Sequence, residues 1–144
     1  MTDKNMRTDA TQPDAGDLQI PASDWKSFLD SFSTQHENWL TNILVRLDGK
    51  QLVEAKDCRL EGVTPDRKDR NDRIHVLVVC ANGDHLDHMV EKAANMIFRR
   101  DDHGAHVGLD IVSTDGSVTT LRFRAPARPE TLDGVVTTSR YANA

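Results

Sequence analysis

Two histidines and two aspartates lie within five residues of one another in the stretch NGDHLDHM, residues 82–89. Imidazole nitrogens and carboxylate oxygens bind zinc and move protons, so this stretch is the first candidate for a chemical site. A zinc site needs three or four such atoms converging on one point. His85 and His88 share a face on a helix but point to opposite faces of a strand. The Asn-Gly-Asp at the start is typical of a turn, so a solvated turn and strand explain the same residues.

Cys80 is the one possible nucleophile near these histidines. It ends an apolar run, where a thiol usually packs as a small hydrophobic group. A metal-dependent enzyme built on His85, His88 and Cys80 is therefore a third-ranked hypothesis. We assign no catalytic residue and expect no cofactor.

Four arginines are the only candidates for a cationic patch: Arg99, Arg100, Arg122 and Arg124. Arg122 and Arg124 are expected on the outward face of the last strand, and Arg100 beside them could help hold a phosphate or a partner's carboxylates. A solvated edge strand, in which the arginines discourage aggregation, is the favoured interpretation. Aromatic residues make up only 5% of the chain, which leaves few platforms for stacking bases. No glycine-rich phosphate loop is present.

The 144 residues fit one domain. Residues 1–19 and 125–144 are poor in aliphatic side chains and are predicted to be polar tails around one compact domain, residues 20–124. A net charge of −5 argues against non-specific binding to nucleic acid. The N-terminus lacks the apolar region of a secretory signal, and no apolar run approaches the ~18 residues of a membrane span. We expect a cytoplasmic protein in which Cys58 and Cys80 are reduced thiols.

One helix is predicted near the N-terminus, in PASDWKSFLDSF. Ser23 is the expected N-cap. Trp25, Phe28, Leu29 and Phe32 then form one apolar stripe, which must pack against the rest of the domain.

Strands follow from Asn42 onward. A hairpin about Asp48-Gly49 is expected to pair Val45 with Leu52 and Leu44 with Val53. A second hairpin needs a three-residue loop, Thr114–Gly116, to pair Leu109 with Leu121 and Val107 with Phe123. Gly116 then occupies the left-handed position of a bulge.

Two further segments lie between these hairpins. Residues 64–73 contain no apolar aliphatic side chain and are predicted to be a solvated charged loop. Residues 85–97 fit either a helical stripe or strand–turn–strand, and the β surroundings favour the strands.

The fold class is therefore mainly β with one N-terminal α-helix. A small antiparallel SH3-like or Sm-like barrel, or a strongly curled sheet, with the helix packed across it fits best. An open sheet with the helix on one face is the alternative.

Several segments together resemble a family of small uncharacterised bacterial proteins that is grouped as a domain of unknown function. The matching segments are IPASDWKSFLDSFSTQHENWL, CRLEGVTPD, DHLDHMV, LDIVSTDGSVTTLRFRAP and RPETLDGV. The resemblance covers about residues 20–135 and implies a compact bacterial cytosolic domain. The family has no assigned reaction, so no catalytic residue is carried over.

These patterns lead to a ranking of functions. The leading hypothesis is a non-enzymatic binding or regulatory module that acts on a protein partner or on itself, as a homo-oligomer. An RNA- or nucleotide-binding small β-barrel using Arg100, Arg122 and Arg124 comes second. The metal-dependent enzyme comes third, and no membrane association is expected.

Overall fold

The computed structural model describes residues 13–67 and 70–127. A short 3-10 helix, Ala22–Asp24, leads into one α-helix, α1 (Trp25–Gln35). The strands are β1 (Leu18–Gln19), β2 (Leu40–Leu47), β3 (Lys50–Arg67), β4 (Arg70–Val79), β5 (His85–Val90), β6 (Ala93–Arg100), β7 (His106–Ser113) and β8 (Val118–Ala127).

All eight strands form one antiparallel sheet in the order β1-β6-β7-β8-β2-β3-β4-β5. Strands adjacent in sequence are adjacent in the sheet from β2 to β5 and from β6 to β8. Strand β8 returns to pair with β2, β1 pairs with β6, and β5 and β6 are not paired. Strand β4 nevertheless contacts β6, so the sheet curls until its two ends approach each other. A mainly β fold with a single helix on a curled sheet is thus confirmed. Within the described residues the sheet does not close into a barrel.

Helix α1 covers the concave side of the sheet with the stripe that the sequence predicted. Trp25, Leu29 and Phe32 are buried in the core, together with inward residues of β2, β4 and β6–β8. The expected Ser23 N-cap is wrong, because the 3-10 turn before the helix moves its start to Trp25 and makes Asp24 the cap. The indole N–H of Trp25 donates to the Ile20 carbonyl at 2.8 Å and fixes this entry.

The first predicted hairpin is confirmed in register, and the second is confirmed in part. Val45 lies opposite Leu52 and Leu44 opposite Val53, with positive φ at Asp48 and Gly49 as a two-residue turn requires. The three-residue loop before β8 sets Leu109 opposite Leu121, and Gly116 has φ +92°. The expected Val107–Phe123 pair does not form, because the ladder shifts between His106 and Gly108.

The predictions for residues 64–73 and 85–97 have different outcomes. Residues 85–97 are strand–turn–strand, as favoured, with the turn at Glu91 and Lys92. The prediction of a charged loop over residues 64–73 is wrong. Thr64 pairs with His75 and Pro65 with Ile74, so β3 and β4 continue through most of this segment. Cross-strand pairing and ion pairs stabilise a polar hairpin end that the composition alone had suggested was a loop.

The two cysteines are not free thiols. Cys58 and Cys80 form a disulfide between β3 and β4, 22 residues apart in sequence. They meet because the next pair along the ladder is Arg59 with Val79, which places the two cysteines directly opposite each other. The expectation of reduced cysteines is therefore wrong for this structure.

The domain boundaries stay a prediction, since residues 1–12 and 128–144 lie outside the described part of the chain. Within it, Leu18 and Gln19 pair with Phe98 and Ile97 of β6. No helix of the described residues is long and apolar enough to cross a membrane.

Candidate functional site

The stretch NGDHLDHM forms the turn between β4 and β5 and most of β5 itself. The Cys80 N–H donates to the Asp84 carbonyl at 2.9 Å, and the Gly83 N–H donates to the Cys80 carbonyl at 2.8 Å. Asn82 accepts from the Asp84 N–H at 3.0 Å and donates to its carboxylate at 2.8 Å. Gly83 has φ +90°, which a residue without a side chain adopts freely. The Asn-Gly-Asp at the start therefore serves the turn.

The register of β5 decides where its histidines point. His88 lies opposite Val76, which is buried, so both face the interior of the curled sheet. His85 lies opposite Val79 on the outer face, where its side chain is 69% exposed. The two imidazoles are thus on opposite faces, as the strand interpretation predicted. Burial lowers the pKa of His88, although Glu54 and Asp87 partly oppose this shift.

The three predicted metal ligands are not brought together. Cys80 is bonded to Cys58, and His85 contacts Glu61, with its Nδ1 3.3 Å from the carboxylate. Among the described residues, one group of three metal-type side chains has converging ligand atoms: Asp101, Asp102 and His103. All three are at the surface, and Asp101 accepts the backbone N–H groups of His103 and Ala105 at 2.9 Å. This is the hydrogen bonding of a turn.

The outer face of β4 and β5 carries a histidine that sequence reasoning missed. The Nε2 of His75 is 2.6 Å from Asp66, and its Nδ1 is 2.8 Å from Asp87. Hydrogen bonds to Asp66 and Asp87 raise the pKa of His75 above its ordinary value. The signal was the strand alternation, because His75 lies between the buried Ile74 and Val76 and must point outward.

In the part of the chain that the structure describes, one edge of β5 is free. Because Cys80 and Asp84 are a hydrogen-bonded pair, Leu86, His88 and Val90 bond to β4 in the alternation of an antiparallel ladder. The N–H and C=O groups of His85, Asp87 and Met89 then point away from β4. Strand β5 is the last in the sheet order, and the described residues offer these three no backbone partner.

The predicted arginine face is largely engaged within the molecule. Arg99 bridges two buried carboxylates, with its Nη1 2.7 Å from Asp17 and its Nε 2.7 Å from Asp110. Arg122 donates to the same Asp110 at 3.1 Å. Burial lowers the pKa of Arg99, but the hydrogen bonds to the two aspartates outweigh burial and raise it.

Arg100 and Arg124 lie at the margin of this cluster. The Nε of Arg100 donates to the Gly16 carbonyl at 2.7 Å, and its backbone N–H donates to the Asp17 carboxylate at 2.8 Å. Arg124 is exposed. Of the three arginines chosen as binding residues, two therefore hold other parts of the chain.

A buried histidine pair lies where α1 meets β7. The Nε2 of His36 is 2.8 Å from the Nδ1 of His106, and the Nδ1 of His36 is 2.7 Å from the Phe32 carbonyl. A carbonyl only accepts, so Nδ1 of His36 carries its proton and His106 donates from its own Nδ1. Burial lowers the pKa of His36 to about 3, and burial also lowers that of His106. No local sequence pattern links these residues, which are 70 positions apart.

The chain matches one known protein family over most of its length. The model of a family described as a family of unknown function, DUF5335, matches residues 16–132. The chain belongs to the DUF5335 family. The match includes every strand from β1 to β8 and confirms the resemblance to a domain of unknown function. Searches of curated proteins and of solved structures found no match to this DUF5335 chain.

Proposed function

We propose that this DUF5335 protein is a non-enzymatic binding module that associates with protein through the free edge of β5. One observation carries the proposal: the outward N–H and C=O groups of His85, Asp87 and Met89, which can pair with an added strand. Their side chains are on the exposed outer face, where Met89 remains 38% exposed. A bacterial origin and a cytoplasmic location belong to the same proposal.

The exposed side chains near this edge could supply specificity. Glu61 and Asp87 are 42% and 50% exposed, and each already contacts a histidine of the same face. Charged side chains on an edge strand restrict which strands can pair with it, because a like charge opposite them is destabilising. The edge is thus suited to a selective partner.

The alternative of an RNA- or nucleotide-binding protein has less support. Its arginines would have to leave intramolecular partners, since Arg122 contacts Asp110 and Arg100 contacts Gly16. The metal-dependent enzyme also has less support, because His85 and His88 face opposite ways.

The test blocks the edge without touching the β4 ladder. The N–H of residue 87 points outward, so Asp87→Pro removes a donor for an added strand and costs no hydrogen bond to β4. Asp87→Asn is the matched control, because it removes the charge and keeps the N–H. The full chain and both variants are immobilised and exposed to an extract of cells that contain the protein.

We expect the wild type and Asp87→Asn to retain a common partner, or a second copy of the chain, and Asp87→Pro to lose it. Circular dichroism and thermal melts check that all three fold alike. Retention of the same partners by Asp87→Pro would contradict a role for the β5 edge.

The cytoplasmic part of the proposal has its own test. Disulfides are rare in the cytosol, and Cys58–Cys80 is a disulfide in this structure. Alkylation of the thiols in intact cells, before lysis, should trap both cysteines reduced if the protein is cytoplasmic. A fully oxidised pair in cells would count against that location.

A further inference from the structure

The sequence of the β5 edge is complementary to itself. Residues 84–88 read Asp-His-Leu-Asp-His. When two copies run antiparallel about a two-fold axis at Leu86, Asp84 of one lies opposite His88 of the other, and His85 lies opposite Asp87. Every acidic residue of the segment then faces a histidine, and Leu86 faces itself. We propose that two copies of the chain pair through β5 in this register, which rests on the proposed binding role of the edge.

The backbone geometry of β5 allows this register. The outward groups belong to residues 85, 87 and 89, so only odd-numbered residues can form hydrogen-bonded pairs with a second β5. The proposed register sets His85 opposite Asp87 on both sides of the axis. The two outward pairs then make four backbone hydrogen bonds, and Leu86 occupies the non-hydrogen-bonded position, where side chains approach most closely.

Neighbouring registers lack this complementarity. A shift that places residue 87 opposite its own copy brings two Asp87 carboxylates together. A shift the other way brings two His85 side chains together. Like charges directly opposite each other destabilise a strand pair, and opposite charges stabilise it. The proposed register is the one in which charge and hydrogen bonding agree.

The surroundings of β5 leave room for the partner. The side chains of His85 and Asp87 are 69% and 50% exposed on the outer face. Their intramolecular contacts come from β3 and β4, since Glu61 contacts His85 and His75 contacts Asp87. Both contacts lie on the side away from the free edge. The pairing segment also lies at the end of β5 away from the Glu91–Lys92 link, which holds the other end close to β6.

The pairing buries a short strand, so the dimer is a weak and concentration-dependent one. Sedimentation equilibrium of the full chain, without reductant and at about pH 6, where histidines in general are largely protonated, measures it. We expect a monomer–dimer equilibrium for the wild type. His85→Asp, which sets Asp against Asp, and Asp87→His, which sets His against His, should each weaken it by about tenfold.

A mixture of the two variants is the decisive measurement. Each has a like-charged edge, but an Asp87→His chain presents two histidines to the two aspartates of a His85→Asp chain. The mixture should therefore form a heterodimer near wild-type affinity, although each variant alone is largely monomeric. Any change within a single chain, such as a new contact with Glu61 or His75, is the same before and after mixing and cannot produce this recovery.

A wild type that stays monomeric at about millimolar concentration, or variants that gain nothing on mixing, would overturn the self-pairing. The proposed function is judged separately by Asp87→Pro. If that variant loses a partner that the monomeric wild type retains, the edge binds another protein and only the self-pairing falls. If it loses none, both fall.

Discussion

The two ends of the curled sheet use charged residues in opposite ways. On β6–β8, Arg99, Asp110 and Asp17 are buried and hydrogen-bonded to one another, and Arg122 joins them. On β5, charged side chains are exposed beside backbone groups that have no backbone partner among residues 13–67 and 70–127. The first arrangement, which we call the closed cluster, consists of Asp17, Arg99, Asp110 and Arg122. The second, the open edge, consists of residues 84–89.

The contrast between the closed cluster and the open edge shows that residue type alone does not locate a binding surface. Arginines are the usual choice for phosphate and carboxylate recognition, yet here they bind carboxylates of their own chain. The closed cluster ties the N-terminal segment to the sheet, because Asp17 precedes β1 and contacts Arg99 of β6.

The largest expected effect comes from a substitution that breaks the closed cluster. Asp110→Asn removes the charge that Arg99 and Arg122 share, and Asp110 is fully buried. Removing one partner of a buried ion pair leaves an uncompensated charge and costs about 3–5 kcal/mol. The free energy of unfolding is measured by urea denaturation. Asp87→Asn on the open edge is the matched control and should cost less than about 1 kcal/mol. Equal losses would remove the distinction between the two regions.

The next effect concerns the cross-link beside the open edge. Cys58–Cys80 closes a segment of 22 residues and lies at the turn that leads into β5. Restricting the unfolded chain by a loop of this length stabilises a fold by about 3 kcal/mol. The double variant Cys58→Ala with Cys80→Ala should unfold at a correspondingly lower urea concentration. Reductant should lower the urea concentration at which the wild type unfolds by a similar amount and should not change that of the double variant. A wild type indifferent to reductant would contradict a structural disulfide.

Local patterns in the sequence predicted much of the fold. The helix stripe at Trp25–Phe32 and the Asp48-Gly49 hairpin depend on neighbours within a few residues, so periodicity and turn chemistry decide them. The strand assignment of residues 85–97 was also right. The position of β5 at the sheet end depends instead on the return of β8 to β2, which no local pattern encodes.

Long-range partners were the part that could not be predicted. Asp17 meets Arg99 across 82 residues, and His36 meets His106 across 70. The disulfide was within reach of sequence reasoning, because pairing β3 with β4 places Cys58 opposite Cys80. Because residues 64–73 were predicted to be a loop, the pairing of β3 with β4 and its register were not predicted. The sequence singled out the histidine–aspartate stretch, whose role as a binding site stays a prediction. The position of this stretch on a sheet edge could be read only from the sheet order.

A third test concerns the buried histidine His36, whose protonation the folded core disfavours. His36 is neutral when folded, with a pKa of about 3, and its ordinary value is 6.5. Above pH 6.5 both states are neutral and stability is complete. Between about 6.5 and 3 the unfolded chain binds a proton that the folded chain excludes, so stability falls by up to about 1.4 kcal/mol per pH unit.

His36→Phe is the variant for this test, because Phe123 stacks on His36 with ring centroids 4.7 Å apart and a phenyl ring suits that position. Its unfolding free energy should depend less on pH between 6.5 and 4 than that of the wild type. His85→Gln, at an exposed histidine, is the control and should keep the wild-type slope. An unchanged slope for His36→Phe would show that folding does not lower the pKa of His36.

The smallest expected effect is on the titration of His75, which contacts Asp87 of the open edge. Hydrogen bonds to Asp66 and Asp87 raise the pKa of His75 above 6.5. Its contribution to stability is therefore complete below pH 6.5 and is lost as the pH rises through the raised value. The His75 ring is near the surface, so this contribution is small and is best observed by NMR titration of the imidazole. Asp87→Asn should lower the pKa of His75 relative to wild type, since one hydrogen-bonded carboxylate is lost. A His75 pKa at or below 6.5 in the wild type would contradict the hydrogen bonds of this ring to Asp66 and Asp87. The Asp87 carboxylate would then be free of His75 and available only to a partner at the β5 edge.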